Sequence, residues 1–506
     1  MKVGPLAKMH GRSVQENKLG DVSLDRSHGI RIAVVGGGIS GIAAAWYLER
    51  AKLDNFLVFE SSSEPGGTWH DNRYPGAEVD IPCHLYSYSF NRHDWTQRFG
   101  SRKELKHYLE KTIDEFGLRR HFRFDATVVS VAWSDEEKLY TVTLGDGRTA
   151  EFEAVISCVG FLNVPMIPPG IDLAAYPGIA CHTARWRDDI DLEGKRVGVI
   201  GTGSSAVQVV VEAAKVARSV TIFQRSPNWI LPRKNRTFTA EQRARYRTSW
   251  QYRFKAMKQF LSYEWARLSH PDRLGSKINR RMRSVAETHL RRSLADRPDL
   301  IEKLLPDYPV GAKRAVASGD FYAAVRQPNV AIAPAVARMD ADGLVDEHGN
   351  RHELDVVVLA TGFRATDYLS RLKVSGRSGV DLHAAWNGEP AAFLGSCVPG
   401  FPNFFMLHGP NSNSGTLLFI LECQARFAAG CIAALAKAGG ATIEVERSAF
   451  DRYNRWVQDR LEKSVYKATR NYYAAASGRI VTQWPFSATR FWWMTRTRRR
   501  SAMKIG

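Results

Sequence analysis

The stretch "RIAVVGGGISG", residues 31–41, decides the fold of this chain. A short β-rich run leads into Gly36, Gly38 and Gly41 in a G-x-G-x-x-G pattern, and an apolar helical pattern follows. Such glycines permit a tight turn and a close approach of backbone to a pyrophosphate at a helix N-terminus. A second strand, "FLVF" (56–59), ends at Glu60, 19 residues after Gly41, where a carboxylate can accept hydrogen bonds from a ribose. This order predicts a dinucleotide-binding fold.

The same order recurs at "KRVGVIGTGSSA" (195–206), which carries Gly201, Gly203 and Ala206. An apolar helical pattern and the strand "SVTIF" (219–223) follow, and Arg225 stands 19 residues after Ala206 in place of an acid. Arginine suits a ribose 2′-phosphate, whereas Glu60 suits a free ribose diol. The two patterns therefore predict FAD at the first site and NADPH at the second. The alternative is a surface arginine beside a site that does not distinguish the phosphate.

Two further strand-like runs, "AVISCVGFLNVP" (154–165) and "LDVVVLATGF" (354–363), suggest crossings between the two nucleotide domains. The predicted fold class is α/β, with two Rossmann-like dinucleotide-binding domains, for FAD and NADP, and a helical insertion in the NADP domain. The predicted divisions are a flexible N-terminal extension (1–28), a first part of the FAD domain (29–165), an NADP domain (166–350) with its insertion at about 231–305, and a return to the FAD domain with a C-terminal segment (351–506).

Composition excludes several classes of protein. The chain has 506 residues and six cysteines, none of them in a CxxC pair or a zinc-like cluster, so a disulfide framework, a dithiol redox centre and a metal site are not expected. No segment is expected to reach the ~18 apolar residues of a membrane span, since "FAAGCIAALA" (427–436) is too short. The N-terminus lacks the apolar core of a signal peptide. These features predict a cytoplasmic protein.

The formal net charge of +19 is concentrated in 233–300 and in "RTRRR" (496–500). Solvated helix faces are favoured over a specific polyanion site, because no nucleic-acid-binding motif accompanies the charge. The tail "RFWWMTRTRRR" (490–500) mixes aromatics with cations, as membrane-surface segments do. A domain end is favoured there over peripheral membrane contact. The sequence does not indicate an oligomeric state.

The stretch "GGTWHDNRYPGAEVD" (66–80) carries the resemblance to a family. It matches, at every defined position, the longer signature of the type I Baeyer–Villiger monooxygenases. The matching residues are Gly66, Gly67, Trp69, Tyr74, Pro75, Gly76 and Asp80. The resemblance covers nearly the whole chain from about residue 30, and "FPNFFMLHGPNSNSG" (401–415) is most similar to the branch that contains the hydroxyacetophenone monooxygenases.

A second signature of the family is similar to "YPGIACHTARWR" (176–187), in which Gly178, His182 and Trp186 match. Tyr176 replaces a phenylalanine, and Arg187 replaces a proline or aspartate, which puts the reaction subclass in question. His182 is expected to be structural and not a catalytic base.

The resemblance implies an enzyme that uses FAD, NADPH and O2 to insert one oxygen atom beside the carbonyl of a small-molecule ketone, by way of a C4a-peroxyflavin, giving an ester or lactone. In "YPVGAKRAV" (308–316) it implies that Lys313 contacts NADP and that Arg314 reaches the flavin and steadies the anionic peroxide. Asp80 would pair with Arg314. These two are the candidate catalytic residues.

Most of the candidate cofactor-binding residues lie on the two glycine patterns, after the strands that follow them, on the first signature and on the Lys-Arg pair; Tyr86 and Val128 lie outside these motifs. The candidates are Gly36, Gly38, Ser40, Gly41, Glu60, Gly67, Thr68, Trp69, Asp80, Tyr86, Val128, Gly201, Thr202, Gly203, Ser204, Ser205, Ala206, Arg225, Ser226, Lys313 and Arg314.

Three alternatives remain open from the sequence. A flavin-containing monooxygenase that oxygenates the nitrogen of an amine or the sulfur of a sulfide shares both nucleotide folds, and it would not need Arg314. A disulfide reductase is disfavoured by the missing CxxC. A basic nucleotide-binding protein without catalysis would bind FAD and leave NADPH unoxidised.

Overall fold

A computed structural model of the chain describes residues 24–174 and 176–506. Most of the predicted flexible extension, 1–28, therefore lies outside the described residues. Its last residues are part of the fold. They form a short 3₁₀ turn, Arg26–His28, and the Asn55 side-chain amide donates to the carbonyls of Asp25 and Gly29, both at 2.9 Å.

The first domain is built on a five-stranded parallel sheet. Its strands, in spatial order, are Phe404–Met406, Ala154–Ser157, Ile32–Val35, Phe56–Phe59 and Phe122–Arg123. The central strands are apolar and buried along their whole length, which is typical of a parallel sheet covered on both faces. Helix Ile39–Arg50 follows the first strand, and helix Leu417–Ala438 packs beside it in the same core.

The second domain has a parallel sheet of the same kind. Its strands, in spatial order, are Val330–Ala333, Ser219–Phe223, Arg196–Ile200, Val356–Leu359 and Ile179–His182. Helix Ser204–Val216 connects the two strands of the glycine pattern. Both dinucleotide-binding folds thus form from the stretches that predicted them.

The predicted boundary at residue 350 is wrong. Strand Val356–Leu359 pairs with Arg196–Ile200 and Ile179–His182, so the second domain continues to residue 359. Asp355 secures this strand, because its carboxylate accepts from the Arg196 backbone at 2.7 Å and from the Arg196 guanidinium at 2.9 Å. A buried apolar run predicts a strand but not the sheet to which it belongs.

Smaller sheets and helices complete the two domains. A mixed sheet, Lys373–Ser375, Val128–Ser134, Leu139–Leu144 and Thr149–Phe152, packs against the first domain's sheet. The other short strands are Val336–Asp340, Gly343–Asp346 and Arg351–Glu353; Ile230–Pro232 with Val316–Ser318; and Ile443–Val445 with Met503–Ile505. The remaining helices outside the insertion are Thr68–Asp71, Arg102–Glu115, Phe321–Val325, Leu382–Trp386, Arg447–Leu461, Ala488–Thr497 and Arg499–Ala502.

The predicted insertion region contains four helices, Ala240–Arg247, Ser249–Leu268, Lys277–Ser293 and Pro298–Leu304. The second of these helices also carries exposed apolar side chains, which the charge pattern does not predict. Trp250 and Trp265 on that helix are 68% and 76% exposed. The basic residues dominate the composition of this segment, which hides the apolar positions spaced between them.

Among the described residues, helix Leu417–Ala438 is long and apolar enough to cross a membrane, with a mean hydropathy of 1.6 over its most apolar stretch. The expectation that no segment reaches this length is therefore wrong, because the apolar helix continues through Arg426. The helix lies in the core of the first domain. Its Glu422 is buried and accepts from the Ser89 backbone at 2.7 Å. These contacts are those of a core helix.

The C-terminal segment packs against the first domain through a short strand. Its last strand, Met503–Ile505, pairs with Ile443–Val445, and Arg496 and Arg498 lie over the rings of Trp492 and Trp493. This geometry is that of a domain end.

Candidate active site

A large, continuous cavity lies at the carboxyl ends of the strands of both parallel sheets. Its volume is about 2080 Å³, well above the roughly 300–1,000 Å³ of an ordinary ligand pocket. Residues that directly follow strands of both sheets line it, among them Gly36, Glu60, Gly201 and Ala360. Such a position at the strand ends is where doubly wound folds bind ligands. The cavity is large enough for two dinucleotides that meet end to end.

The two glycine turns have the same local geometry. Gly36 has a φ of +105°, and a Cβ there would lie 2.8 Å from the carbonyl oxygen of Cys158. Gly201 has a φ of +120°, and a Cβ there would lie 2.5 Å from the carbonyl oxygen of Ala360. Only glycine satisfies both conditions. Each turn therefore brings bare backbone to the cavity wall.

Two helices begin at these turns. Helix Ile39–Arg50 starts after Gly38, and helix Ser204–Val216 starts after Gly203; neither has a side-chain cap. The first backbone N–H groups of a helix have no partner within the helix, and with the helix dipole they favour an anion. Each helix start is thus suited to a pyrophosphate.

Glu60 directly follows strand Phe56–Phe59 and lines the first nucleotide site. It is buried, and its Oε2 accepts from the Gly37 backbone at 2.7 Å while its Oε1 accepts from the Ser62 backbone at 2.8 Å. Oε1 also accepts from the Ser61 hydroxyl at 3.2 Å, so these bonds fix the carboxylate beside the glycine turn and leave a lone pair on Oε2. The carboxylate is therefore suited to accept from a ribose hydroxyl.

Cations gather at the second nucleotide site. Lys313 Nζ donates to Ser226 Oγ at 2.6 Å and lies 4.6 Å from the centre of the Tyr308 ring. Burial lowers the pKa of Lys313 below its ordinary value, and the positive charge of Arg225 lowers it further. Arg225 is exposed and lines the cavity with Lys313. Two neighbouring cations and a hydroxyl suit a phosphate group.

Arg314 and Asp80 form an ion pair at the cavity wall. Arg314 Nη2 donates to Asp80 Oδ2 at 2.6 Å. The Arg314 side chain is 46% exposed, and both Arg314 and Asp80 line the cavity. Asp80 raises the pKa of Arg314 above its ordinary value, against the effect of desolvation. The guanidinium therefore carries a permanent positive charge into the cavity, and Asp80 holds it.

The first signature also joins the two domains. Tyr74 OH donates to Gln208 Oε1 at 2.9 Å and accepts from Ser205 Oγ at 3.0 Å. At Gly76, which has a φ of +77°, a Cβ would lie 2.9 Å from the Gln208 carbonyl oxygen. The turn that precedes Asp80 thus packs directly on the helix of the second nucleotide site. Sequence spacing does not predict this contact, because a motif does not identify what it packs against.

Trp69 and Tyr86 form a hydrogen-bonded aromatic pair on the cavity wall. Trp69 Nε1 donates to Tyr86 OH at 3.2 Å, and both residues line the cavity.

His182 has a structural position, as expected. It accepts from the Ala184 backbone through Nδ1 and contacts the Gly362 carbonyl through Nε2 at 3.0 Å. Burial lowers the pKa of His182 to about 4. It is a neutral, hydrogen-bonded histidine in the segment between the domains.

Two candidate residues do not reach the cavity. Gly41 and Ala206, the third positions of the two glycine patterns, lie inside their helices and do not line it. A Cβ at Gly41 would lie 1.9 Å from the Gly36 carbonyl oxygen, so this position sets the packing of helix against turn. The candidates that do line the cavity are Gly36, Gly38, Ser40, Glu60, Gly67, Thr68, Trp69, Asp80, Tyr86, Val128, Gly201, Thr202, Gly203, Ser204, Ser205, Arg225, Ser226, Lys313 and Arg314.

Two parts of the cavity wall are not predicted by any sequence motif. Tyr263, on the inserted helix Ser249–Leu268, lines the cavity, and burial followed by the charge of Asp80 raises its pKa to about 12. Tyr472 and Tyr473 from the C-terminal segment lie close enough to Arg314 to raise its pKa. None of these residues belongs to a recognisable motif, so only the folded chain brings them to the site.

Comparisons with known proteins agree with this geometry. The sequence pattern of the flavin-binding monooxygenase-like family matches residues 29–370. A Baeyer–Villiger monooxygenase of Streptomyces coelicolor is 35% identical over 482 residues, which cover 91% of this chain and 90% of that protein. A Baeyer–Villiger monooxygenase of Pseudomonas aeruginosa is 32% identical over 92% of this chain and 89% of its own length.

Solved structures show the same architecture. Cyclohexanone monooxygenase from Rhodococcus sp. Phi1 bound to NADP+ aligns with a TM-score of 0.85 and 26% identity, over 94% of this chain and 99% of that one. A steroid monooxygenase bound to NADP aligns with a TM-score of 0.83 and 29% identity, over the same shares of the two chains. The predicted fold class and family are confirmed, and the branch within the family stays a prediction. The chain belongs to the flavin-binding monooxygenase-like family, among its Baeyer–Villiger monooxygenases.

Proposed function

We propose that this protein uses FAD, NADPH and O2 to insert one oxygen atom beside the carbonyl of a ketone, giving an ester or lactone. The observation that carries the proposal is the ion pair between Arg314 and Asp80, on the wall of the cavity that joins the two nucleotide sites. With both dinucleotides bound, this permanent cation would lie near the junction of the two sites, which supports the proposal.

The first site fits FAD. The helix start after Gly38 suits the pyrophosphate, and Glu60 suits a ribose with both hydroxyls free. Trp69 and Tyr86 line the wall beyond the turn, where flat aromatic surface can pack near an isoalloxazine.

The second site fits NADPH. The helix start after Gly203 suits its pyrophosphate, and Arg225, Ser226 and Lys313 together suit the ribose 2′-phosphate. An arginine here in place of an acid favours NADPH over NADH, because a carboxylate would repel the phosphate.

The bound FAD, once reduced by NADPH, supplies the activation of O2. The residues of this chain supply the environment. Arg314 stabilises the negative charge that develops beside the ketone carbonyl, which a fixed cation does best in a site that excludes water. Asp80 orients Arg314 and offsets the cost of bringing its charge out of bulk water. Tyr472 and Tyr473 line the cavity near this pair and interact with the Arg314 charge.

Oxygenation of nitrogen or sulfur would not need this cation. The sequence feature that left that class open was Arg187, at the end of the second signature. In the structure Arg187 is exposed and pairs with Asp189 at 3.0 Å, so it does not alter the cavity. The ion pair therefore favours ketone oxygenation.

A product assay tests the proposal. Purified holoenzyme is supplied with NADPH, air and a panel of aryl, cyclic and long-chain ketones, together with one sulfide, and the products are identified by gas chromatography and mass spectrometry. An ester or lactone, heavier than the ketone by one oxygen atom, is expected. A sulfoxide without any ester would contradict the proposal in favour of the second class. NADPH oxidation no faster than with free FAD would exclude enzymatic function of this kind.

A further inference from the structure

Helix Ser249–Leu268 carries an apolar stripe on its outer face. Six large apolar side chains on it are more than half exposed: Trp250 (68%), Phe254 (66%), Met257 (54%), Leu261 (57%), Trp265 (76%) and Leu268 (61%). At 3.6 residues per turn they lie within an arc of about 80°. Together with Leu274 (55%), they are the most exposed large apolar side chains in the part of the chain that the structure describes. A contiguous patch of this kind marks an interaction surface.

The stripe is held facing outwards, because the rest of the helix is anchored. Tyr252 is buried, and its hydroxyl accepts from Trp95 Nε1 at 3.2 Å. Glu264 accepts from the backbone of Ala488 at 2.8 Å and of Thr489 at 2.9 Å. Tyr263, on the side opposite the stripe, lines the large cavity. The helix therefore cannot rotate to bury its outer face without breaking these contacts.

The charges beside the stripe are positive. Arg253 flanks it on one side and Lys258 on the other, and both are exposed. The helix has one acidic residue, Glu264, which is buried and held by two backbone N–H groups. The preceding helix Ala240–Arg247 adds the exposed Arg245 and Arg247 near the start of the stripe. The face thus combines apolar side chains with a cationic border.

We propose that this face docks on an anionic lipid surface. Apolar insertion and attraction to anionic headgroups together are the two contributions that hold an amphipathic helix at a membrane interface. Tryptophan is enriched at the level of the headgroups, and two of the six side chains are tryptophans. This proposal goes beyond the proposed reaction and does not depend on it.

A second copy of the chain is the less suitable occupant. A two-fold contact places the same patch on both sides, so the cations that border one stripe would face those that border the other. The net charge of +19 adds to this repulsion. An anionic lipid surface instead attracts both the border and the molecule as a whole.

Sedimentation of the holoenzyme with vesicles tests the proposal. Vesicles of phosphatidylglycerol and phosphatidylcholine are compared with vesicles of phosphatidylcholine alone, at low ionic strength. The wild-type protein is expected to bind the anionic vesicles more tightly. The double variant Phe254→Gln/Trp265→Gln is expected to lower the partition coefficient by about tenfold or more, since two large apolar side chains no longer insert. Glutamine keeps the helix propensity of the positions.

The matched control is Val216→Gln/Val285→Gln, which removes two exposed apolar side chains, 49% and 45% exposed, from other helices. It is expected to bind vesicles as the wild type does. Arg253→Gln/Lys258→Gln is expected to weaken binding to anionic vesicles only and to reduce its dependence on salt. Circular dichroism and NADPH oxidation check that each variant is folded, and Trp265→Gln alone replaces the double variant if that one does not fold.

Two results would overturn the proposal. One is equal binding of the wild type and the stripe variant to anionic vesicles, or no binding of either. The other is a dimer of the wild type without lipid, seen by sedimentation velocity and abolished by Phe254→Gln/Trp265→Gln, which would assign the face to a second copy of the chain.

Discussion

At the scale of the residue, the proposed chemistry depends on Arg314, which carries a permanent positive charge into the cavity. Arg314→Ala is expected to lower the rate of ester formation by about 10²-fold or more, the usual effect of losing one group that stabilises developing charge. NADPH oxidation should continue, because reduction of the flavin does not require this cation. Arg314→Lys should keep part of the rate, since a lysine is a charge without the planar fork.

The measurement is ester formed per NADPH consumed. Flavin absorbance of each Arg314 variant shows whether FAD is still bound. Unchanged ester formation in a variant that retains FAD would contradict the role proposed for Arg314.

Arg225 is expected to select the phosphorylated cofactor. Arg225→Ala removes a cation beside Ser226 and Lys313, so the KM for NADPH should rise by about tenfold or more, the range for losing a hydrogen bond to a charged group. The KM for NADH, which has no 2′-phosphate, should change little and serves as the internal control. Steady-state kinetics with both cofactors decides the matter. An equal rise for both would show that Arg225 does not recognise the phosphate.

Lys313 should give the cofactor site a pH dependence. Burial lowers its pKa, so in the free enzyme Lys313 loses its proton at a lower pH than an ordinary lysine. Attraction to the phosphate is present below that pKa and is lost as the pH rises through it, so kcat/KM for NADPH should fall on the alkaline side. Lys313→Arg should move this fall to higher pH, because arginine stays charged. If the pH profile of kcat/KM for NADPH is the same in Lys313→Arg as in the wild type, Lys313 does not cause the alkaline fall.

At the scale of the element, the first signature is a contact between domains as well as a wall of the site. Tyr74→Phe removes the hydroxyl that bonds Ser205 and Gln208 on helix Ser204–Val216. We expect a loss of about 1 kcal/mol in the free energy of unfolding, as for a typical buried hydrogen bond, and a higher KM for NADPH. Denaturant unfolding and steady-state kinetics measure the two effects.

Tyr47→Phe is the matched control for Tyr74→Phe. The Tyr47 hydroxyl donates to Glu422 at 3.1 Å inside the first domain, far from the second nucleotide site in the fold. This variant should also lose stability but should keep the wild-type KM for NADPH. If both variants changed KM alike, the effect would be one of general stability and not of the domain contact.

The sequence predicted those elements whose structure depends on local spacing. The strands Phe56–Phe59 and Ser219–Phe223 have the predicted bounds, and Glu60 and Arg225 stand at their ends because a strand, a turn and a helix have fixed lengths. The sheet that receives strand Val356–Leu359 depends on pairing between distant segments, which a single apolar run does not encode.

The same limit applies to the candidate site. Arg314 and Asp80 were paired from a family resemblance, and their contact across 234 positions is a property of the folded chain. Tyr263 could not be predicted, because its helix alternates between cavity, core and exposed faces and no motif distinguishes them. Gly41 and Ala206 belong to the glycine patterns but do not line the cavity, and Gly41 instead packs against the Gly36 carbonyl. A motif therefore identifies a turn more reliably than it identifies every residue that touches a ligand.

At the scale of the whole molecule, the charge and the position of the cavity act together. The chain carries a net charge of +19, and the cavity between its two domains contains Arg225, Lys313 and Arg314. Carboxylates such as Glu60 and Asp80 also line it, but cations outnumber them. A cleft with an excess of one sign of charge concentrates a ligand of the opposite sign and raises its rate of association. NADPH is a polyanion, whereas the ketone and O2 are neutral. Electrostatic attraction should therefore speed the association of NADPH, whereas the neutral ketone and O2 should reach the site by diffusion without such attraction.

This difference predicts how salt acts on catalysis. The distance over which charges act falls from about 10 Å at 0.1 M salt to about 3 Å at 1 M. Over that range kcat/KM for NADPH should fall by about tenfold or more, within the range that electrostatic attraction adds to association. The kcat/KM for a neutral ketone, measured with saturating NADPH, should change little and controls for a general effect of salt on the enzyme. Equal losses for NADPH and ketone would indicate that salt perturbs the fold or the bound flavin, and that the net charge of the molecule does not guide the cofactor to its site.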